Sequence, residues 1–350
     1  MKISVALCTC NGEKYIQQQL ESICNQTRKV DEIIICDDHS SDHTIDICKQ
    51  ILNQYDIFYQ IKINNPSLRI MKNFQQCFSL CSGDIIFSCD QDDIWDERKV
   101  EIILNEFKNN PEIKMIATNA VLIDKNGEKM NLSLRESIGF HVNIRCKQVL
   151  PNLLKTYCIT GATMAFYKDF EEEYFYLSKY WLHDGWLALA AALNDHLLYL
   201  DDFLTKYRLH GGNACGIGYD EILKKETVKK LERKKRNRLF KTVLICPYYY
   251  EDLAFEKYEM YKEVLDFFHK HNLTITQVNQ VQLVNCINFW KQRTNIQNMN
   301  FVSLRNMIKY FKSINAYSKF SESEYFKYYD YYFWIVYHLL PRKRFKEGEN

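Results

Sequence analysis

The chain lacks the glycine-rich signatures that most simply announce a nucleotide site. Its first apolar segment runs into Thr9-Cys10-Asn11-Gly12 rather than a Gly-x-Gly-x-x-Gly turn, and no Gly-x-x-x-x-Gly-Lys occurs. Neither a dinucleotide fingerprint nor a P-loop is therefore present, and there is no EF-hand spacing for calcium. Paired cysteine spacing is missing as well. The 13 cysteines are odd in number and sit beside short apolar residues, with no Cys-x-x-Cys matched by a partner pair. That argues against a disulfide framework and a zinc site, and for a reducing compartment. Charge of one sign is not in excess. The 46 Lys and Arg against 44 Asp and Glu leave a formal net charge of +2, which gives no global attraction for nucleic acid. No stretch reaches the roughly 18 apolar residues that a membrane span requires. Met1-Lys2-Ile3-Ser4 leads into a strand pattern without a charged and then apolar leader, so the expectation is a cytoplasmic protein.

What is there is a globular composition, 47% hydrophobic and 26% charged, in a chain of 350 residues. That suits one large domain with an appended region. Short apolar runs at Ile3–Leu7, Glu32–Cys36, Ile57–Ile61 and Ile85–Ser88 read as strands. Helical patterns over Glu13–Cys24, around Ile45–Leu52 and over Met71–Leu80 lie between them. Strand and helix alternate at βαβ spacing, which predicts an α/β fold with a mostly parallel sheet flanked by helices. Ligands of such sheets bind beyond the carboxyl ends of the strands, where Thr9, Asp38 and Asp90 all fall.

After residue 100 the pattern is mixed. Met115–Thr118 and Ala120–Ile123 bracket Asn119, and residues 130–150 read as a loop over the cleft. Leu197–Leu200 reads as a short strand leading to Asp201-Asp202. The expected division is a catalytic domain over 1–216 and a helical, basic and aromatic-rich accessory region over 217–350. The basic run from Lys224 to Arg238, and Tyr331–Leu340 followed by Pro341-Arg342-Lys343-Arg344, suit peripheral attachment to an anionic membrane surface on its inner face. A final helix docked on its own domain suits the second segment equally.

The strongest chemical signal is Cys89-Asp90-Gln91-Asp92-Asp93, directly after Ile85-Ile86-Phe87. Three carboxylates within four residues repel one another, and a divalent cation shared with substrate phosphates would offset that. Mg²⁺ or Mn²⁺ held by one or two carboxylates fits. On this reading Asp90 faces a nucleotide sugar and Asp92 the metal, while Asp93 orients or caps the helix after Ile94-Trp95. Asp37-Asp38 can accept from a base N–H or ribose hydroxyls, or cap locally with Ser40 and Ser41. Asp184, in His183-Asp184 at a helix start, is either a general base for an acceptor hydroxyl or an N-cap. His183 either organises acceptor hydroxyls or packs. Arg208 and His210, before Gly211-Gly212-Asn213, could close over a diphosphate. Arg69 and Lys72-Asn73-Phe74 are further donor candidates. Trp95, Trp181 and Trp186 offer either sugar-stacking faces or core.

The stretches Val5–Gly12, Asp31–Thr44, Cys89–Trp95, Trp181–Trp186 and Tyr207–Asn213, in this order, resemble family 2 glycosyltransferases of the GT-A fold. The likeness is to the bacterial rhamnosyltransferase-like branch used for surface polysaccharides. The resemblance implies a nucleotide-diphosphate-sugar donor, with a lean towards rhamnose on thymidine diphosphate. It also implies Mg²⁺ or Mn²⁺, inversion at the anomeric carbon, and a saccharide or lipid-linked saccharide acceptor. By it Asp38 is the base-binding acid, Asp90 and Asp92 the donor and metal acids, and Asp184 the catalytic base. Two departures stand out: Cys10 stands where the family often has a tyrosine, and His183 where it often has another acid, which puts a two-acid acceptor site in question. The rival readings are a catalytically inactive carbohydrate- or nucleotide-binding component of an assembly complex, and a phosphoryl-transfer enzyme.

Overall fold

Four apolar runs become the parallel half of one large sheet. The computed structural model describes residues 1–140, 145–156, 158–210, 248–321 and 326–339. The chain divides into two compact units: Met1–Val149 with Cys158–Lys225, and Leu150–Tyr157 with Glu226–Asn350.

In the first unit, Ile3–Thr9 (β1), Glu32–Asp37 (β2), Phe58–Ile63 (β3) and Ile85–Asp90 (β4) are joined by Ile16–Cys24 (α1), Thr44–Leu52 (α2) and Arg69–Leu80 (α3). Every residue of β1 and β2 is buried, as befits strands covered on both faces. Helix α1 supplies cover by turning Ile16, Leu20 and Ile23 inwards at helical spacing. Strand β1 lies between β2 and β4 and is parallel to both, with Thr9 opposite Asp37 and Cys8 opposite Asp90. The chain thus leaves β1 towards one neighbour and later returns on its other side. That switch point is where such sheets open a crevice at their carboxyl ends.

The rest of the unit comprises Ile94–Trp95 (β5), Lys99–Asn109 (α4), Met115–Ile123 (β6), Lys129–Ser133 (β7), Leu134–Ile138 (α5), Arg145–Cys146 (β8), Met164–Tyr167 (β9), Lys168–Tyr174 (α7), His183–Leu193 (α8) and Leu197–Arg208 (β10). The sheet order is β3-β2-β1-β4-β9-β6-β10-β5, with β7 on β6 and β8 on β10. Strand β9 runs antiparallel to β4 and β6, and β5 antiparallel to β10, while β6 and β10 pair in parallel, so the sheet is all parallel in its front half and mixed beyond β4.

Three expectations change here. The stretch 130–150 is not an open loop: it contains β7, α5 with a Ser133–Glu136 capping box, and β8, while 141–144 lie outside the described residues. Met115–Ile123 is one strand through Asn119. Strand β10 runs past Asp201-Asp202 because register shifts on either side of Phe203 take up the polar residues. Asp201 there binds Asn119 at 2.7 Å and Arg135 at 3.1 Å.

The second unit contains Leu150–Leu153 (α6), Tyr248–Lys270 (α9), Gln277–Arg293 (α10), Phe301–Ser313 (α11), Ala316–Phe320 (α12) and Phe326–Leu339 (α13). At its centre Arg293 and Asp330 form a fully buried two-pronged pair at 3.1 Å, and the Tyr317 hydroxyl donates to the same carboxylate at 2.6 Å. The aromatic segment singled out near the C-terminus lies in α13, where Phe333 and Val336 are buried and Trp334 Nε1 donates to the Met299 carbonyl. Gly211–Asn213, the basic run 224–238, Leu340 and Pro341–Arg344 lie outside the described residues. Among the described residues no helix is long and apolar enough to cross a membrane.

The edge of the sheet remote from the strand ends discussed below is tied by Glu32. Its buried carboxylate accepts from the Ser4 hydroxyl, the Ser82 N–H and the Ser82 hydroxyl, each at 2.6 Å, and pairs with Lys2 at 2.8 Å. Burial alone would raise its pKa; the bonds from Lys2, Ser4 and Ser82 outweigh this and bring it down to about 2. A lowered folded-state pKa means stability that is present above the ordinary 4.5 and is lost as pH falls towards 2. Glu32→Ala should therefore lower stability by about 1–3 kcal/mol at neutral pH. Urea titrations should show the gap from wild type narrowing below the ordinary carboxylate pKa. A gap that persists unchanged under acid would contradict the assignment.

Candidate active site

The carboxyl ends of β1 and β2 are laced together before any ligand is considered. Thr9 Oγ1 donates to Asp37 Oδ1 at 2.7 Å, and the Ser40 N–H and hydroxyl donate to the same carboxylate. The Thr9 hydroxyl is thus engaged within the protein. Past Thr9 the chain turns through Asn11, at φ 51°, into Gly12. Gln91 reaches across from the acid loop: its amide accepts from the Cys10 N–H at 2.8 Å and donates to the Cys10 carbonyl at 3.0 Å. A Cβ on Gly12 would lie 2.2 Å from Gln91 Oε1. Glycine at that position lets the acid loop close onto the β1 turn.

Asp38 stands beside this turn with its carboxylate filled by the protein. It accepts from Asn64 Nδ2 (3.1 Å), the Ser67 hydroxyl (2.6 Å), Leu68 N–H (2.6 Å) and Arg69 N–H (2.9 Å). Burial works to raise its pKa, but these four donors prevail and hold it low. Four donors match the acceptor capacity of an ionised carboxylate. In this structure Asp38 shapes the turn at 64–69 and the start of α3, rather than presenting open oxygens to a base.

The acid loop runs from β4 to β5, and the pairing of Ile94–Trp95 with Lys206 and Thr205 brings the end of β10 alongside it. Arg208 is 1% exposed. Its N–H donates to Asp93 Oδ1 at 2.9 Å, its Nε to the Asp92 carbonyl at 2.7 Å, and a terminal nitrogen to Gln18 Oε1 at 2.7 Å. Its guanidinium carbon also lies 4.7 Å from the Tyr15 ring centroid. In this structure β10 carries Arg208 against the acid loop, where its backbone and side chain hold Asp93 and Asp92. His210 is placed towards the acids, with Nε2 2.7 Å from Asp92 Oδ2.

The carboxylates differ sharply in surroundings. Asp90 is half-buried, and among the described residues no hydrogen-bond donor reaches it. Burial, then the charges of Asp92 and Asp184, raise its pKa to about 7, against the pull of Lys99. Asp93 is 1% exposed, and its buried Oδ2 has no partner among the described residues. Burial and the neighbouring Asp92 and Asp90 push its pKa well up, against the Arg208 N–H and Lys99. It does not cap α4, whose N-cap is Arg98.

Asp184 sits in the first turn of α8, one residue after the helix begins, and Leu182 is the N-cap. Oδ2 accepts from the Gly161 N–H at 2.9 Å and Oδ1 from the Gly185 N–H at 2.8 Å. Those bonds and the helix N-terminus favour the charged form, but burial wins and lifts its pKa to about 6. Tyr207 locates the four acids together. After burial, the charges of Asp93, Asp90, Asp92 and Asp184 all raise its hydroxyl's pKa.

Sequence reasoning missed Lys99. It is fully buried, donates to the Ala162 carbonyl (2.9 Å) and Thr205 Oγ1 (3.0 Å), and lies 4.1 Å from the Trp95 ring centroid. Burial lowers it to about 8, while Cys89, Asp93 and Asp90 pull the other way. Its signal was a lysine on the face of α4 that otherwise buries Val100, Ile103, Leu104 and Phe107. Trp95, Trp181 and Trp186 are all buried and serve as core, not as sugar platforms. Among the described residues no three His, Cys, Asp or Glu side chains form a self-sufficient metal cage.

Residues 4–175 match the family Glycosyl transferase family 2. The putative glycosyltransferase EpsE of Bacillus subtilis is 29% identical over 126 residues, which are 36% of this chain and 45% of that protein. The match therefore spans less than half the length of that relative. The dTDP-rhamnosyl transferase RfbG of Shigella flexneri is 28% identical over 219 residues, 60% of this chain and 73% of that protein. Among solved structures, S. aureus TarS 1-349 in complex with UDP-GlcNAc is similar, with a TM-score of 0.57 at 14% identity, covering 96% of this chain and 89% of that one. At that identity the likeness is one of fold: the GT-A architecture.

The bracing role of Arg208 has its own test. Arg208→Met should lower stability by about 1–3 kcal/mol, because the buried side chain gives up its bonds to the half-buried Asp92 carbonyl and to Gln18. Urea unfolding without any nucleotide reads this directly. Unchanged stability with only a raised donor KM would return Arg208 to the diphosphate.

Proposed function

This chain belongs to glycosyl transferase family 2, matched over residues 4–175, and on that premise we propose an inverting, metal-dependent sugar transfer. The sugar moves from a nucleotide-diphosphate donor to a hydroxyl of a saccharide or lipid-linked saccharide acceptor in surface polysaccharide synthesis. The reading is supported by the acid loop after β4, where Asp92 meets His210, Arg208 holds Asp92 and Asp93, and no donor among the described residues reaches the Asp90 carboxylate, and by the charge of Asp184 acting on Asp90. Asp90 and Asp92 offer two hard oxygen donors, which suits Mg²⁺ or Mn²⁺ completed by water and substrate phosphates. When bound there, the ion would supply neutralisation of the negative charge that develops on the departing diphosphate.

The chain's own residues do the rest. The acceptor hydroxyl oxygen attacks the anomeric carbon, the bond from that carbon to the diphosphate oxygen breaks, and the hydroxyl proton passes to the Asp184 carboxylate. A carboxyl pKa raised to about 6 leaves Asp184 ionised at neutral pH yet more basic than an exposed aspartate. The Gly161 and Gly185 N–H groups hold that carboxylate in place. His210 steadies Asp92, and Arg208 fixes the loop behind both acids. On this reading Asp38 acts by holding the 64–69 turn rather than through open oxygens of its own. The similarity to a dTDP-rhamnosyl transferase supports rhamnose on thymidine diphosphate as the first donor to try.

A panel of nucleotide sugars with Mg²⁺ or Mn²⁺, read by release of the nucleotide diphosphate, identifies the donor. Asp184→Asn should then lower turnover by about 10²–10⁴-fold while nucleotide-diphosphate affinity stays within about twofold. Wild-type turnover should fall away as pH drops through about 6, because the base is then protonated. Asp92→Asn should instead weaken donor binding wherever metal is required. An Asp184→Asn enzyme that turns over normally would remove the base assignment.

A further inference from the structure

A buried histidine stands next to the proposed base and has no part in the reaction just described. His183 is 4% exposed, and among the described residues neither ring nitrogen has a hydrogen-bond partner. Its ring stacks on Phe74 with centroids 3.9 Å apart and planes at 25°, and meets Phe78 edge-on at 5.8 Å. On the other side lies Gly161, where a Cβ would fall 2.9 Å from His183 Nε2 and 3.6 Å from Asp184 Oδ2. The same Gly161 gives its N–H to Asp184 Oδ2 at 2.9 Å.

An imidazole without a partner for its N–H is a costly occupant of a closed site, so its nitrogens do not explain its presence. Its shape does. Phe74 belongs to α3, whose first residue, Arg69, donates its N–H to Asp38. The adjacent Asn73 donates to the Cys36 carbonyl at 2.9 Å and accepts from Asn64 at 2.8 Å. A packed path therefore runs from the turn held by Asp38, through α3 and the His183 ring, to the Asp184 carboxylate.

We infer that His183 is a positioning residue, an uncharged aromatic wedge that seats Asp184 against Gly161 and ties it to the donor-side turn through Phe74. This rests on Asp184 being the base. Burial takes the His183 pKa down to about 3, so the wedge stays neutral throughout the working range. Among the described residues, titratable groups near Asp184 include Asp90 from the end of β4, Tyr207 from β10 and His183 itself. With the ring removed, water would reach Asp184, relieve its burial and lower its pKa.

The test compares three variants of the full chain, using the nucleotide sugar that wild type turns over. His183→Phe keeps the stack and should stay within about threefold of wild-type kcat, with the same acid limb in its pH profile. His183→Ala and Gly161→Ala should lose about tenfold or more in kcat while donor KM changes by less than about twofold. His183→Ala should also shift its acid limb to lower pH. The inference is overturned if His183→Phe is as damaged as His183→Ala, because a ring nitrogen would then be required. It is overturned equally if His183→Ala loses only thermal stability. Titration of ¹³C-labelled aspartate by NMR, with Asp184→Asn for assignment, needs no turnover. The Asp184 pKa should fall in His183→Ala and hold in His183→Phe, even if the wild type transfers no sugar and the glycosyltransferase reading fails. An Asp184 pKa that does not move in His183→Ala overturns the wedge.

Discussion

Negative charge gathered at the end of β4 is the constraint to which the rest of the first unit answers. At about 4 Å and an effective dielectric near 20, two unit charges interact by about 4 kcal/mol, which is comparable with a large part of a domain's net stability. The fold offsets this in several ways. Lys99 lies beneath the loop, its charge opposing the rise in pKa of Asp90 and Asp93. Arg208 gives its backbone N–H to Asp93 and its side chain to the Asp92 carbonyl. Asp184 rests on two backbone N–H groups at a helix start. What is not offset is Asp90, whose carboxylate no donor among the described residues reaches, and that is the side from which a ligand has most to gain.

Sheet topology converts this local chemistry into a site. Strand β1, flanked by β2 and β4, sets three strand ends side by side, and the short antiparallel pairing of β5 with β10 folds the acid loop over against Arg208 and His210. Gln91 then clamps the loop to the β1 turn through both backbone groups of Cys10, an approach that only glycine at position 12 leaves room for. The surrounding polar residues are largely devoted to holding one another. Asp37, Asp38 and Thr9 are all engaged by the protein, and their part is to shape the turns at the strand ends.

Much of this was legible in the chain and some was not, for identifiable reasons. The front half was readable because strands buried on both faces carry near-continuous apolar runs, and their carboxyl ends named Thr9, Asp38 and Asp90. Asp184 was found through its place at the start of an apolar helix. The two-residue strand β5 leaves no periodicity, so its partnership with β10, and hence the burial of Arg208, was invisible. A guanidinium before glycines looks the same in sequence whether it faces solvent phosphate or braces a loop. The capped turn of α5 hid in a stretch without a period, and Asp201-Asp202 masqueraded as a strand end that bulges in fact accommodate. Lys99 and His183 carried weak signals, each a polar residue set within an apolar pattern.

One measurement addresses the central idea that these acids await a cation together with a diphosphate. Isothermal titration of the full chain with dTDP and with UDP, each with and without Mn²⁺, reports whether ion and nucleotide bind as a unit. The expected result is an affinity for at least one of them that rises by about tenfold or more when the ion is present, with a matching gain for the ion when the nucleotide is present. Equal affinities in the presence and absence of Mn²⁺ for both nucleotides would contradict it.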